Sequence, residues 1–353
     1  MIAPLLLCIT LFTGDPLALG QPNKPGATSD PVIEKFRRHP GLPKLRKEVA
    51  KKGWVIFSAK VDRNDWDLYV MRPDGSNLKR LTNTPMWSEF SPRYSPNGRA
   101  ILYRRVRPGV KIHFERWGFQ GELVIANADA TNPRKLGELA QLPWGCWSAD
   151  GSQLVCLAKK GIRIYDFATM KVVREMNRRG VFQQLFMSPD GKWFIGTGNT
   201  GGESWGIVRI NVKSGRRSFV SVFRKCTPDW FPDSKQVIYS NRAKGQRGYG
   251  WTQLWRAQVT GRKPSLVYGE DGRHAYGGVV SPDGKYVIFT RAPKEGAGSE
   301  RAGAPACLMR LADGPIIAGE SKLLRKAHRR TKIKDGPVLP LSACWEPHWT
   351  YAE

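Results

Sequence analysis

Acidic residues, histidine and paired cysteines are all scarce in this chain. Thirty Asp and Glu stand against 57 Lys and Arg, a formal net charge of +27 over 353 residues. A field of that sign favours anionic partners, whether acidic polysaccharide, lipid headgroups or nucleic acid. The six cysteines form no Cys-x-x-Cys pair, which argues against a zinc site. There is no Gly-x-Ser-x-Gly elbow, His-Glu-x-x-His motif, Walker loop or Gly-x-Gly-x-x-Gly fingerprint. No catalytic residue is therefore assigned. Past the first dozen residues no stretch approaches 18 apolar residues, so the sequence predicts no transmembrane span.

The N-terminus reads differently from the rest. An apolar run from Ile2 to Phe12 precedes Ala18-Leu19-Gly20, small residues of the kind a signal peptidase reads. Residues 1–20 are therefore expected to be a signal peptide, with a periplasmic or secreted product. Cys8 follows Leu7, where a lipoprotein signal needs a small residue. Removing the leader leaves five cysteines, an odd number, expected to be small buried residues within strands. Residues 21–51, rich in Pro, Gly and then Lys and Arg, read as a linker.

From residue 52 onward one phrase returns. Its copies are Tyr94-Ser95-Pro96-Asn97-Gly98, Trp147-Ser148-Ala149-Asp150-Gly151, Met187-Ser188-Pro189-Asp190-Gly191, Trp230-Phe231-Pro232-Asp233-Ser234 and Val280-Ser281-Pro282-Asp283-Gly284. Intervals of 53, 40, 43 and 50 residues, each holding several short apolar runs, predict a β-propeller with one blade per repeat. A sixth inner strand is supplied by Pro347-His348-Trp349-Thr350, which matches Pro92-Arg93-Tyr94-Ser95. The expected fold is all-β: six four-stranded antiparallel blades over residues 52–353, closed by the C-terminal strand joining the first blade.

The wording of these repeats resembles the TolB-type propeller, the WD40-like or PD40 repeat family. The residues that carry the resemblance are Asp67-Leu68-Tyr69-Val70-Met71, Asp74-Gly75-Ser76-Asn77, Arg80-Leu81-Thr82 and the five turns. TolB proper has an α/β domain before its propeller, and residues 21–50 are too short for one. The family spans Tol-system proteins, scaffold propellers, propellers fused to peptidases and metal-dependent lyases, so it implies a fold more than a function.

Function is expected on the face where the irregular loops emerge, because Arg and Lys interleave there with Trp, Phe and Tyr. Such a surface stacks on sugars and pairs with carboxylates or sulfates. The candidate ligand-binding residues are Arg178, Arg224, Arg273, His274, Tyr276 and His348. This composes a non-catalytic binding or scaffold propeller that recognises an envelope protein or an acidic polysaccharide, with no cofactor. The alternative is a uronate lyase-like, carbohydrate-active enzyme holding a divalent metal in the central channel at His274 and His348. Lys322–Lys334 is a candidate peripheral membrane contact. Export and the lack of a recognition motif disfavour nucleic acid.

Overall fold

The repeated turn shows why the blades form where they do. Ser95 Oγ donates to Asn97 Oδ1 (2.7 Å) and accepts the Ala100 N–H (3.0 Å). Ser148, Ser188 and Ser281 make the same pair of bonds with Asp150, Asp190 and Asp283 and with the N–H groups of Gln153, Trp193 and Tyr286. Gly98, Gly151, Gly191 and Gly284 follow at φ of 69–75°, the left-handed region open to glycine. Each turn thus closes a hairpin between the inner strand of a blade and its second strand.

The computed structural model describes residues 30–60, 65–107, 121–136, 144–158, 161–176, 180–181, 183–201, 204–242, 252–293 and 304–352. The expected signal peptide and residues 21–29 lie outside them. Blade one contains β1 (Trp54–Lys60), β2 (Trp66–Met71) and β3 (Lys79–Arg80). Blade two is β4 (Ser88–Tyr94), β5 (Ala100–Val106), β6 (Glu122–Asn127) and β7 (Arg134–Leu136). Blade three is β8 (Trp144–Trp147), β9 (Gln153–Ala158), β10 (Gly161–Asp166) and β11 (Val172–Met176). Blade four is β12 (Gln183–Met187), β13 (Trp193–Gly201), β14 (Ser204–Asn211) and β15 (Arg217–Ser221). Blade five is β16 (Lys225–Trp230), β17 (Gln236–Arg242), β18 (Thr252–Gln258) and β19 (Ser265–Glu270). Blade six begins with β20 (Arg273–Val280), β21 (Tyr286–Pro293) and β22 (Pro305–Arg310).

The chain then departs from the repeat. β23 (Ile316–Ala318) pairs in parallel with β19, giving blade five a fifth strand, and helix α3 (Lys322–Ala327) follows. Only after this excursion does β24 (Val338–Ala343) return as the outer strand of blade six. Finally β25 (Trp345–Thr350) pairs antiparallel with β1 and becomes the inner strand of blade one, closing the ring of six as the repeats predict. All five cysteines in the described residues are buried and unbridged.

The expected linker is corrected over residues 31–49, which form two helices, α1 (Pro31–Arg37) and α2 (Leu42–Val49). Pro31 and Pro43 look like loop punctuation, but they stand in the first turns of these helices, where a missing N–H costs nothing. Asp30 caps α1 by accepting the N–H groups of Val32 and Ile33. Ile33 and Phe36 pack with Ile316, Ala318 and Val338. Leu42, Leu45 and Val49, one face of α2, pack with Met71, Leu339 and Leu341. Burying side chains of this size contributes about 1.5–3 kcal/mol each, which fixes both helices to the outside of the ring.

Candidate binding site in the central channel

Strand register identifies a ring of six equivalent residues. Arg93, Cys146, Phe186, Asp229, Val279 and His348 pair with Leu102, Val155, Ile195, Ile238, Ile288 and Ile56, the matching positions of each second strand. All six line a cavity of about 470 Å³ at the centre of the propeller. Alternation in a strand turns the next residue of each inner strand away from the channel. Tyr94, Trp147, Trp230 and Trp349 occupy these positions and wedge between blades. The indole N–H of Trp147 donates to the Arg93 carbonyl (3.1 Å) and that of Trp230 to the Phe186 carbonyl (3.4 Å).

On the side of the ring away from the repeated turns, five inner strands carry the same bulge. Ser91, Gln184, Thr227, Gly277 and Glu346 take φ of 49–58°, and pairing slips by one residue at each. Blade three lacks it, and Trp144–Trp147 pairs without interruption. A left-handed conformation is costly for Thr and the other side chains here. Its recurrence in five strands with different residues shows that the bulge belongs to the repeat rather than to one residue type.

Charge is concentrated on the ring and bulge. Arg93 reaches across to the C-terminal strand and donates through one nitrogen to the carbonyls of Pro92 (3.0 Å), Glu346 (3.2 Å) and Pro347 (2.8 Å). Its guanidinium also lies 5.0 Å from the Phe186 ring centre. Arg104 donates to Ser91 (2.7 Å) and the Glu346 carboxylate (3.3 Å), stacked 3.7 Å over Trp144. Burial pushes the Asp229 carboxyl up to about 6, against the pull of Arg93. Burial, seconded by Arg93, holds the His348 imidazole down at about 3, so it is neutral. Burial pushes the Cys146 thiol up to about 12, which removes it as a nucleophile. The ring therefore presents the Arg93 guanidinium opposite a carboxyl, Asp229, that titrates at about 6.

The mouth is apolar. The repeated turns encircle it, so exposed Pro96, Pro189, Pro232 and Pro282 form a rim with Ala149 and Ala352. An apolar rim over a charged floor suits a polypeptide segment whose side chains pack on the prolines while polar groups reach Arg93 and Asp229.

The likeness to known proteins follows this architecture. TolB of Francisella tularensis, a Tol-Pal system protein, is 24% identical over 199 residues, 54% of this chain. The match spans 44% of that protein's length. The TolB structure from Acinetobacter baumannii superposes with a TM-score of 0.59 at 18% identity, covering 85% of this chain and 67% of that one. A structure from Agrobacterium tumefaciens assigned to TolB gives 0.53 at 17% identity, covering 76% and 90%. The chain is a TolB-like six-bladed propeller. No protein-family model matches the sequence.

Within this TolB-like propeller the residues singled out by sequence are dispersed. Arg178 lies outside the described residues. Arg224 is exposed on the loop between blades four and five, beside Phe223. Arg273 donates to Asp30 of the α1 cap (2.9 Å). His274 is buried, its Nδ1 accepting the Thr252 N–H (3.0 Å). Tyr276 stacks on Trp345 with ring centres 6.0 Å apart. Of the five that are described, His348 alone lines the channel cavity. The position in β20 equivalent to His348 is Val279, five residues from His274. His274 directs its Nδ1 to Thr252 and does not line the cavity that His348 lines. Among the described residues no group of three or more His, Cys, Asp and Glu is placed to hold a metal. Sequence reading missed Arg93 and Asp229, although both sit two places before the turn in their repeats, the position that register turns inward.

Proposed function

We propose that this propeller is a non-catalytic protein-binding module of a Tol-Pal-type envelope system, and that it holds a partner segment in the mouth of its central channel. The observation that carries the reading is the channel itself: a proline rim encloses a floor where Arg93 and Asp229 are held opposite one another. The relative from Francisella tularensis is a Tol-Pal system protein, which supports the choice of system, and a periplasmic location agrees with the apolar leader.

The test is binding of a purified Pal-type lipoprotein ectodomain, read by fluorescence anisotropy. Ala149 is exposed at the rim, so Ala149→Arg fills the mouth without entering the core. We expect the variant to weaken binding at least tenfold, about 1.4 kcal/mol. Equal affinity of wild type and variant, or no binding by wild type, overturns the reading.

A further inference from the structure

Two strongly basic segments of the chain lie far apart in sequence and close together in the fold. Residues 31–51 and 320–335 each carry seven Lys or Arg against two Asp or Glu. His39 Nε2 lies 3.2 Å from the carbonyl oxygen of Asp335, 296 residues away, and Lys35 Nζ lies 3.4 Å from its carboxylate. Val32 Cγ2 lies beside Gly319, just ahead of α3. One outer wall, built from α1 and from the excursion between blades five and six, therefore brings the α1 end of the first cluster beside the second. Lys322, Lys326, Arg329, Arg330 and Lys332 are exposed there and form no ion pair among the described residues.

Charge alone does not separate a membrane from a soluble polyanion, but Leu323 does. It is 59% exposed on α3, next to Lys322 and with its N–H bonded to Asp271 Oδ2 (3.2 Å), while Leu324 beside it is buried. A large aliphatic side chain held in water among cations finds no apolar contact on a hydrated anionic polymer. At an anionic bilayer it meets acyl chains while the surrounding bases meet headgroups. We propose that this wall is a peripheral docking surface for membranes rich in anionic lipid. It involves none of the channel residues, so it stands or falls separately from the partner-binding reading.

The test is sedimentation of the purified protein with phosphatidylcholine vesicles, with and without about one third phosphatidylglycerol. We expect retention only on the anionic vesicles, falling with added salt. The variant K322Q/K326Q/R329Q/R330Q should lose about a hundredfold or more in partition, at about fivefold per base near an anionic surface. The control K171Q/K213Q/R216Q/R262Q, which removes as many exposed bases from blades three to five, should lose far less. L323Q should weaken vesicle binding several-fold and leave retention on heparin resin unchanged. Because Leu323 is mostly exposed, that arm holds even where the fourfold variant folds poorly. Equal losses in control and test variants, vesicle binding indifferent to L323Q, or no vesicle binding at all would overturn the proposal.

Discussion

His348 and Asp229 hold the same register position in blades one and five, and each accepts the backbone N–H of the strand in the next blade. His348 Nδ1 accepts from Tyr94 (3.1 Å), and Asp229 Oδ2 accepts from Val280 (2.9 Å). Tyr94 and Val280 are themselves equivalent, pairing with Ile101 and Val287. Two unlike side chains therefore make one clamp between neighbouring blades at the channel wall, and their titrations oppose each other.

For Asp229 the fold favours the protonated acid. Its folded value of about 6 stands above the ordinary 3.8, so its contribution is complete below 3.8 and lost as pH rises through 6. Asp229→Asn keeps an oxygen for the Val280 N–H and does not titrate. We expect the variant to be more stable than wild type at pH 7 by about 1 kcal/mol, roughly 2 °C in Tm. Thermal melts between pH 4 and 8 check this, and parallel curves for the two proteins would refute it.

For His348 the fold favours the neutral ring. Its folded value of about 3 lies below the ordinary 6.5, so its contribution is complete above 6.5 and is lost as pH falls toward 3. An NMR titration should show its ring proton unmoved down to pH 4. His348→Gln should flatten acid unfolding in that window. A midpoint near 6.5 would mean that the ring is solvated and the clamp absent.

Two glycines with nearly equal φ predict very different costs. A Cβ on Gly191 (φ 70°) would meet nothing nearer than Ala149 at 4.0 Å, so Gly191→Ala should cost only the left-handed strain, about 1 kcal/mol. A Cβ on Gly53 (φ 71°) would stand 1.8 Å from the Thr350 carbonyl oxygen, on the strand that closes the ring. Gly53→Ala should cost about 3 kcal/mol or more, the range of a forced backbone shift in a packed site. Urea midpoints measure both, and similar values would contradict the closure geometry.

The N-terminal helices are latched by one carboxylate. Asp30 binds Arg291, which is 1% exposed (2.6 and 3.1 Å), and Arg273 (2.9 Å), while Arg291 also binds Glu270 (2.6 and 2.7 Å). Burial raises the Asp30 carboxyl, but the bonds and charge of Arg291 and the charge of Arg273 hold it below the ordinary value. Asp30→Ala removes the helix cap and leaves Arg291 short of one partner, a loss of about 2–4 kcal/mol. Protease cleavage near residue 40 should quicken in the variant while the core stays resistant. An unchanged cleavage rate would show that apolar packing alone holds α1.

The repeat was legible because its turn needs particular atoms: a hydroxyl, a carboxylate or amide two places on, and then a residue free to take positive φ. The linker reading of residues 31–49 failed because Pro and Lys obscure an apolar spacing of Leu42, Leu45 and Val49 that only a packing partner makes meaningful. The candidate site was read from residue type, so arginines and histidines near strand ends were chosen. Arg273 and His274 turned out to bond the chain to itself, whereas Arg93 and Asp229 sit inside strands where sequence gives charge no special mark.

Sequence alone determined the number of blades and their order, since each repeated turn depends on bonds within about five residues, and the match of Pro347–Thr350 to Pro92–Ser95 marked the closing strand. Tertiary structure decided everything that depends on which blades meet across the axis. It brought Arg93 to face Asp229, set Arg104 against Glu346, and placed Lys35 beside Asp335. The physical reason is distance along the chain: a ring closes contacts between residues hundreds of positions apart, and no local pattern records which of them will share a wall.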